Sequence, residues 1–204
     1  MLWITTPGRM GHVTYESWTT YVWAATVLVA IAAGVWTATN RPGVRSGPPL
    51  QHVAGATLLA YFAWEMVVNL PGLLSGYWTT VDGFGDTRAL AGQQAYLAGQ
   101  VAFVVAAAFS VVGILRGRTW AAVMGIGLAV AVVVWRVAIF AGTLALFGDE
   151  LGADGSLYLS MVSSTILLGA VPGLIAAGLL ARPLLRRASP PSGVAAAEPA
   201  TRPG

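Results

Sequence analysis

The sequence predicts an all-α integral membrane protein, a bundle of about five transmembrane helices with its amino terminus outside and its carboxyl terminus in the cytoplasm. Three observations predict it. The 204 residues are 56% hydrophobic and only 9% charged, where a soluble domain carries roughly 25% charged residues. The apolar residues come in runs long enough to cross a bilayer, which takes about 20 residues. Basic and acidic connections then alternate between those runs, as the positive-inside rule requires of an inserted bundle.

The runs follow in order. The first spans about 18–38, too long and without the basic leader of a cleavable signal. The second spans about 53–75, the third about 96–115, and the fourth about 120–147, long enough to tilt. The fifth spans about 157–181, with Pro172 as the expected kink, tolerable inside a packed bundle. Arg41 and Arg45 separate the first two runs, Arg116 and Arg118 the third and fourth, and Arg182, Arg186 and Arg187 follow the fifth. The remaining connections carry Asp82, Asp86 and Arg88, then Asp149, Glu150 and Asp154. Residues 1–17 read as an extracytoplasmic segment, 18–187 as the transmembrane domain, and 188–204, rich in Pro, Ala and Ser, as a disordered cytoplasmic tail.

Composition removes several function classes. The net charge is +3, but the arginines sit in short connections and form no basic face, so nucleic acid is not an expected partner. The expected location is the cell membrane and the first partner the lipid bilayer, and self-association of so small a bundle is compatible with the sequence. Cysteine is absent, which excludes disulfides and thiolate metal sites. Lysine is absent as well, so no retinal Schiff base can form. The topology places His12 outside and His52 near the inner surface, so the two histidines cannot share a metal or a haem. Asp82 and Asp86 lie in a Gly-rich loop and read as solvated turn residues. The expectation is therefore no metal and no cofactor.

Within the runs the ionisable exceptions are Glu65 in the second and Arg136 in the fourth. Each costs about 2.5–3.5 kcal/mol at mid-membrane on insertion scales, and an intramembrane charge is by default a functional-site candidate. Glu65 is fourteen residues past Gln51 and Arg136 sixteen past Trp120, about 21 and 24 Å of helix rise. Both runs go from inside to outside, so the two side chains reach nearly the same depth. Two readings stand. One is a buried ion pair that sets helix register without chemistry. The other makes Glu65 a proton donor or acceptor in a water-poor cavity, a role that a tight pair with Arg136 would weaken. Tyr61, Glu65 and Asn69 share a helix face, with Trp64 beside them. Trp23 and Trp135 add aromatic surface deep in the runs and Tyr96 adds it at the head of the third, and such faces attract cations.

The segment Leu59-Ala60-Tyr61-Phe62-Ala63-Trp64-Glu65-Met66-Val67 resembles the Trp-Glu motif of the small integral membrane terpene cyclases. That family includes fungal meroterpenoid and indole-diterpene cyclases and bacterial relatives that cyclise prenylated indoles. The resemblance implies that Glu65 protonates an epoxide or alkene of a polyprenyl substrate and starts a cation cascade without cofactor. It covers about ten residues plus overall size and hydrophobicity. The fungal members have seven spans and a second acid near the last helix, whereas the fifth run here holds no acid, and Asp149 or Glu150 is the nearest candidate. Arg136 is then expected to orient Glu65, Asp149 to relay or accept a proton, and Tyr61, Trp64, Asn69, Trp23, Tyr96 and Trp135 to bind substrate.

Two other classes remain beside the cyclase. One is a non-enzymatic assembly partner or accessory subunit, whose charges pair structurally or meet a partner helix. The other is a small-molecule carrier, against which the scarcity of polar residues in the fourth and fifth runs argues.

Overall fold

Helix boundaries follow local backbone chemistry. In the computed structural model, which describes residues 18–40, 47–81, 87–153 and 155–188, the first helix, α1, covers Trp18–Asn40. The sequence that follows it, Arg41-Pro42-Gly43, disfavours continued helix, because a residue before proline is pushed out of the α region. Its last turn uses its own polar side chains: Thr37 Oγ1 donates to the Ala33 carbonyl at 2.8 Å and Asn40 Nδ2 to the Trp36 carbonyl at 3.0 Å. The second helix, α2, covers Leu50–Val81 and starts after Pro48-Pro49. The Pro49 carbonyl accepts from the His52 and Val53 amides at 2.8 and 3.2 Å.

The third helix, α3, covers Thr87–Leu115, and the fourth, α4, Thr119–Ala153. They join through a tight turn at Gly117, whose φ of 69° is left-handed and suits glycine. The Gly117 amide donates to the Ile114 carbonyl and the Arg118 amide to the Gly113 carbonyl, both at 2.9 Å. This is the paired Schellman closure that satisfies a helix's last carbonyls. Ser110 Oγ adds a bond to the Ala121 carbonyl at 2.6 Å, tying the two helices together at the turn. The long fourth run is thus one continuous α-helix of 35 residues.

The fifth apolar run is divided. A short helix α5, Gly155–Val162, passes into a π-helical segment, Ser163–Ala170, and then into α6, Val171–Ala188. The expected kink at Pro172 takes the form of this widened segment, in which the Val171 amide donates back to the Ile166 carbonyl. Proline offers no amide and crowds the carbonyl four residues back, and a π turn just before it relieves both demands. Pro183 also lies inside α6. The segments expected over 1–17 and 188–204 lie outside the described residues, except Ala188, the last residue of α6.

The described residues are helical apart from short turns and contain no strand. Four stretches among them are long and apolar enough to cross a membrane: 21–40, 94–115, 119–142 and 158–186. The chain is therefore a multi-pass membrane protein in length and composition. Helix α2 has 32 residues, but Gln51, His52 and Glu65 dilute its apolar character. The outer faces are apolar, with Leu28, Val29, Leu159 and Leu174 exposed, as a lipid-facing surface requires.

Inside the bundle α4 is central and packs against every other element. Lipid tails are as apolar as the core, so helix association rests on close van der Waals fit and small residues. At the α1–α4 crossing a Cβ on Gly127 would lie 2.7 Å from the Ala30 Cβ, so only glycine permits that approach. The core holds Trp23, Leu59, Phe62, Phe103, Leu128 and Val132, all essentially inaccessible.

Candidate functional site

Arg136 Nη2 on α4 donates to Glu65 Oε1 on α2 in a salt bridge. The matched depths read from the sequence bring the two charges together. The side chains keep 22% and 31% of their accessibility for Arg136 and Glu65 respectively, so the pair is covered but not sealed. Helices α2 and α4 touch each other far less than either touches α6. The pair therefore spans a gap rather than lying in a packed seam.

The arrangement around it explains the opening. At its first turn α2 is fastened to α6: His52 is buried and its Nε2 lies 3.1 Å from the Leu180 carbonyl, which accepts from the Nε2–H tautomer. Away from His52 along the bundle, the π segment packs on α4 but, among the described residues, does not reach α2. Arg136 lies in this region with its stem against the π segment. A Cβ on Gly169 would stand 2.7 Å from Arg136 Cγ, Cδ and Nε. Gly169 is thus the seat of the arginine. The sequence signal for it was its four-residue spacing from Gly173, legible as close helix approach but not as space for a guanidinium stem.

Glu65 sits at the edge of the lipid-facing stripe of α2. Tyr61, one turn before it, is exposed and sets its ring edge-on to Phe62 at 5.5 Å. Trp64 is 66% exposed and points outward. Asn69 shares the helix, but its side chain lies outside the described residues, as does that of Asp149. Because α4 is continuous, Asp149 is thirteen residues beyond Arg136, about 20 Å along the axis. It is too far away to touch the Glu65–Arg136 pair directly.

The other expected substrate contacts form a separate cluster on a different side of α4. Trp23 packs on Phe103 at 5.4 Å and on Trp135 at 5.5 Å, and Tyr96 packs on Trp135 at 5.2 Å. All four are buried, and their faces are largely taken up by one another. Phe103 had no distinguishing signal in an apolar run. Gln100, buried on α3, does leave a signal, as a glutamine inside such a run.

Among the described residues no three His, Asp or Glu side chains gather as a metal site would need. Chemically, the Glu65–Arg136 pair can hold a charge, accept or deliver a proton, and orient a polar group. Compared with known proteins, the chain matches no family model, no curated protein and no solved structure.

Proposed function

We propose that the chain is a membrane-embedded terpene cyclase that protonates a lipid-dissolved polyprenyl substrate at Glu65. The observation that carries this reading is that the Glu65 side chain keeps 31% of its accessibility despite the salt bridge to Arg136, so a lipid-dissolved substrate can reach it once the pair opens. A pair serving only as a clamp gains little, since buried ion pairs rarely outdo apolar packing. A π turn and a glycine at the arginine's seat fit a site rather than a clamp, because π bulges concentrate at functional positions. The resemblance around Trp64-Glu65 adds the chemistry.

In this reading the substrate enters from the bilayer past Tyr61 and Trp64, both of which face outward. Glu65, protonated when the salt bridge opens to the substrate, transfers its proton to an alkene carbon or an epoxide oxygen. The neighbouring double bond closes on the resulting electrophile, and the last cation loses a proton to a base, so product and substrate are isomers. Arg136 stabilises the carboxylate that forms as the proton leaves, an interaction stronger in the transition state than before it. Trp23, Tyr96 and Trp135 support the bundle behind the site rather than lining it. Asp149 is left the role of distant proton acceptor at the outer end of α4.

The proposal includes the full topology. Helix α2 is a fifth span, since its 32 residues exceed the about 20 needed to cross. The arginine-bearing connections then place the amino terminus outside and the carboxyl terminus in the cytoplasm.

A second reading, a structural pair in a non-enzymatic assembly partner, is favoured by the closure of the salt bridge within one chain. Turnover separates the two. The chain is expressed in bacterial membranes with a prenylated indole and an epoxidised polyprenyl aromatic, and products are followed by mass spectrometry and NMR. A cyclised isomer of unchanged mass, absent with Glu65→Gln, supports the cyclase. If the folded, inserted protein leaves both substrates unchanged, the structural reading takes its place.

A further inference from the structure

Away from the ion pair, a groove of about 1040 Å³ runs between α1 and α3, with α4 beneath it. Val35 of α1 and Val101, Val105 and Phe109 of α3 line it and are exposed, whereas Ala106 and Met124, which also line it, are buried. The hollow is therefore set into the lipid-facing surface rather than laid flat on it. Gly34 and Ala38 on α1 and Ala98 and Ala102 on α3 keep it open, where larger side chains would close it. Along α3 the lining runs from Gln94 to Phe109, about 22 Å of helix rise, more than half of the about 30 Å hydrocarbon core.

One end of the groove can be placed against the chain's arginines. Helices α1 and α4 run antiparallel where they cross: a Cβ on Gly127 would lie 2.7 Å from the Ala30 Cβ, and one on Gly34 2.6 Å from the Met124 Cβ. About one turn further along, Thr39 of α1 and Trp120 of α4 line the same end of the groove. The Trp120 ring also covers Gly113 of α3, where a Cβ would stand 3.2 Å from it. Arg116 follows three residues after Gly113, about 4.5 Å of rise. Its amide still donates to the Val112 carbonyl at 3.1 Å, so it keeps the helical register. Val105, Phe109, Val112 and Arg116 are all exposed, and their spacing of four, three and four puts them on one stripe of the helix. Arg118 precedes Trp120 by two residues.

This end is also the edge of the apolar layer. The membrane-spanning stretches of α1 and α3 finish at Asn40 and Leu115, and that of α4 begins at Thr119. Trp120 sits where interfacial tryptophans sit, and Arg116 and Arg118 stand just beyond, at the level of lipid head groups. The two connections that start here, 41–49 and 116–118, carry four arginines and no Asp or Glu. An apolar slot ending in unbalanced positive charge is complementary to an apolar tail ending in an anion. Water gains little inside, since Thr39 Oγ1 already donates to the Trp36 carbonyl at 3.0 Å and the wall between Thr39 and Gln94 is apolar. A partner helix would cover the slot but would not answer the arginines.

We infer that the α1–α3 groove binds an acyl chain of an anionic phospholipid whose phosphate lies against Arg116 and Arg118. Basic sites between membrane helices on the cytoplasmic side hold anionic lipid head groups in this way, and the arginine connections face the cytoplasm in the proposed topology. The site lies on the opposite side of α4 from the Glu65–Arg136 pair and needs no reaction, so it is independent of the cyclase reading.

The test reads which lipid the full chain keeps. The protein is placed in nanodiscs of equal dioleoyl phosphatidylglycerol and dioleoyl phosphatidylcholine, transferred to mild detergent, and its bound lipid is identified by native mass spectrometry. A phosphatidylglycerol with a tail diazirine then maps the position. Phosphatidylglycerol should be kept about tenfold over phosphatidylcholine, the scale of attraction between two arginines and an anionic lipid, with labelling on α1 and α3 around Val35 and Val105. Replacing both arginines, Arg116→Gln with Arg118→Gln, should abolish the preference. Ala98→Trp, on an exposed part of the wall, should displace the tail and cut the labelling while leaving the arginines in place. It carries the test if the arginine variant does not insert. Equal retention of the two lipids, or a preference unchanged in the folded arginine variant, overturns the site. Labelling spread evenly over all lipid-facing helices overturns it as ordinary lipid contact. Glycerol phosphate competing as well as the lipid would make the arginines a free-phosphate site, and a dimer that shields the groove from the label would assign it to a second copy. Either result removes the phospholipid.

Discussion

Gly169 lies against Arg136 so closely that a Cβ at position 169 would stand 2.7 Å from three atoms of the arginine stem. The absence of a side chain on the π segment is therefore what lets Arg136 extend toward Glu65. Gly169→Ala should destabilise the protein by about 1–3 kcal/mol, the usual cost of overpacking. Made on Arg136→Ala, the same change meets open space, and the better helix propensity of alanine, worth up to about 1 kcal/mol, should turn its sign to neutral or stabilising. Equilibrium unfolding in mixed micelles reads both. An equal cost in both backgrounds would show that Gly169 answers to some other neighbour.

The salt bridge itself should behave as a coupled unit. Glu65→Gln or Arg136→Met alone leaves a charge in the membrane region without the opposite member of this salt bridge, and each should cost about 1.5–3 kcal/mol, the range for a hydrogen bond to a charged group. The double variant removes both charges and should cost clearly less than the sum, since apolar replacement of a whole pair is often near neutral. A double-mutant cycle measures the difference. Strict additivity would mean that the two residues do not share their energy.

How much of this was legible in the sequence depends on what kind of signal each feature leaves. Spans leave long apolar runs, so Trp18–Asn40 and Thr119–Ala153 were readable to within a few residues at most ends. Depth can be counted along a helix, so the meeting of Glu65 and Arg136 was also within reach. Azimuth is harder. Trp64 and Trp135 each neighbour one member of the pair in sequence, yet Trp64 faces outward and Trp135 packs on Trp23 and Tyr96. A helix rotates about 100° per residue, so adjacency along the chain turns side chains apart. The π segment, Ser163–Ala170, leaves almost no compositional trace beyond the proline that follows it.

The two tryptophan environments give a direct contrast. Trp23 is wholly buried against Phe103 and Trp135, so Trp23→Ala should cost about 3–5 kcal/mol through lost packing and a cavity. Trp64, mostly open to the outside, should cost within about 0.5 kcal/mol when changed to Leu, as surface changes do. Under the cyclase reading Trp64→Leu lowers turnover while stability holds. Unfolding curves and product yield, measured on the same preparations, separate these effects. A large stability loss at Trp64 would place it inside an interface that the single chain does not show.

Topology is testable because the chain has no cysteine of its own. Gly47 and Gly155 are both exposed, and a Cβ at either meets nothing within 4 Å, so a single cysteine at each should leave the bundle intact. Gly47 lies just past the connection carrying Arg41 and Arg45, whereas Gly155 adjoins Asp149, Glu150 and Asp154. Positive charge is retained on the cytoplasmic side, and α2 crosses once between α1 and α3 if it is a true span. Gly155→Cys should then react with a membrane-impermeant maleimide in intact cells, and Gly47→Cys only after permeabilisation. The reverse pattern would invert the bundle and move the arginine connections outside. Reaction at both positions in intact cells would put them on the same side, so an even number of crossings would separate α1 from α5 and α2 could not be counted as a full span.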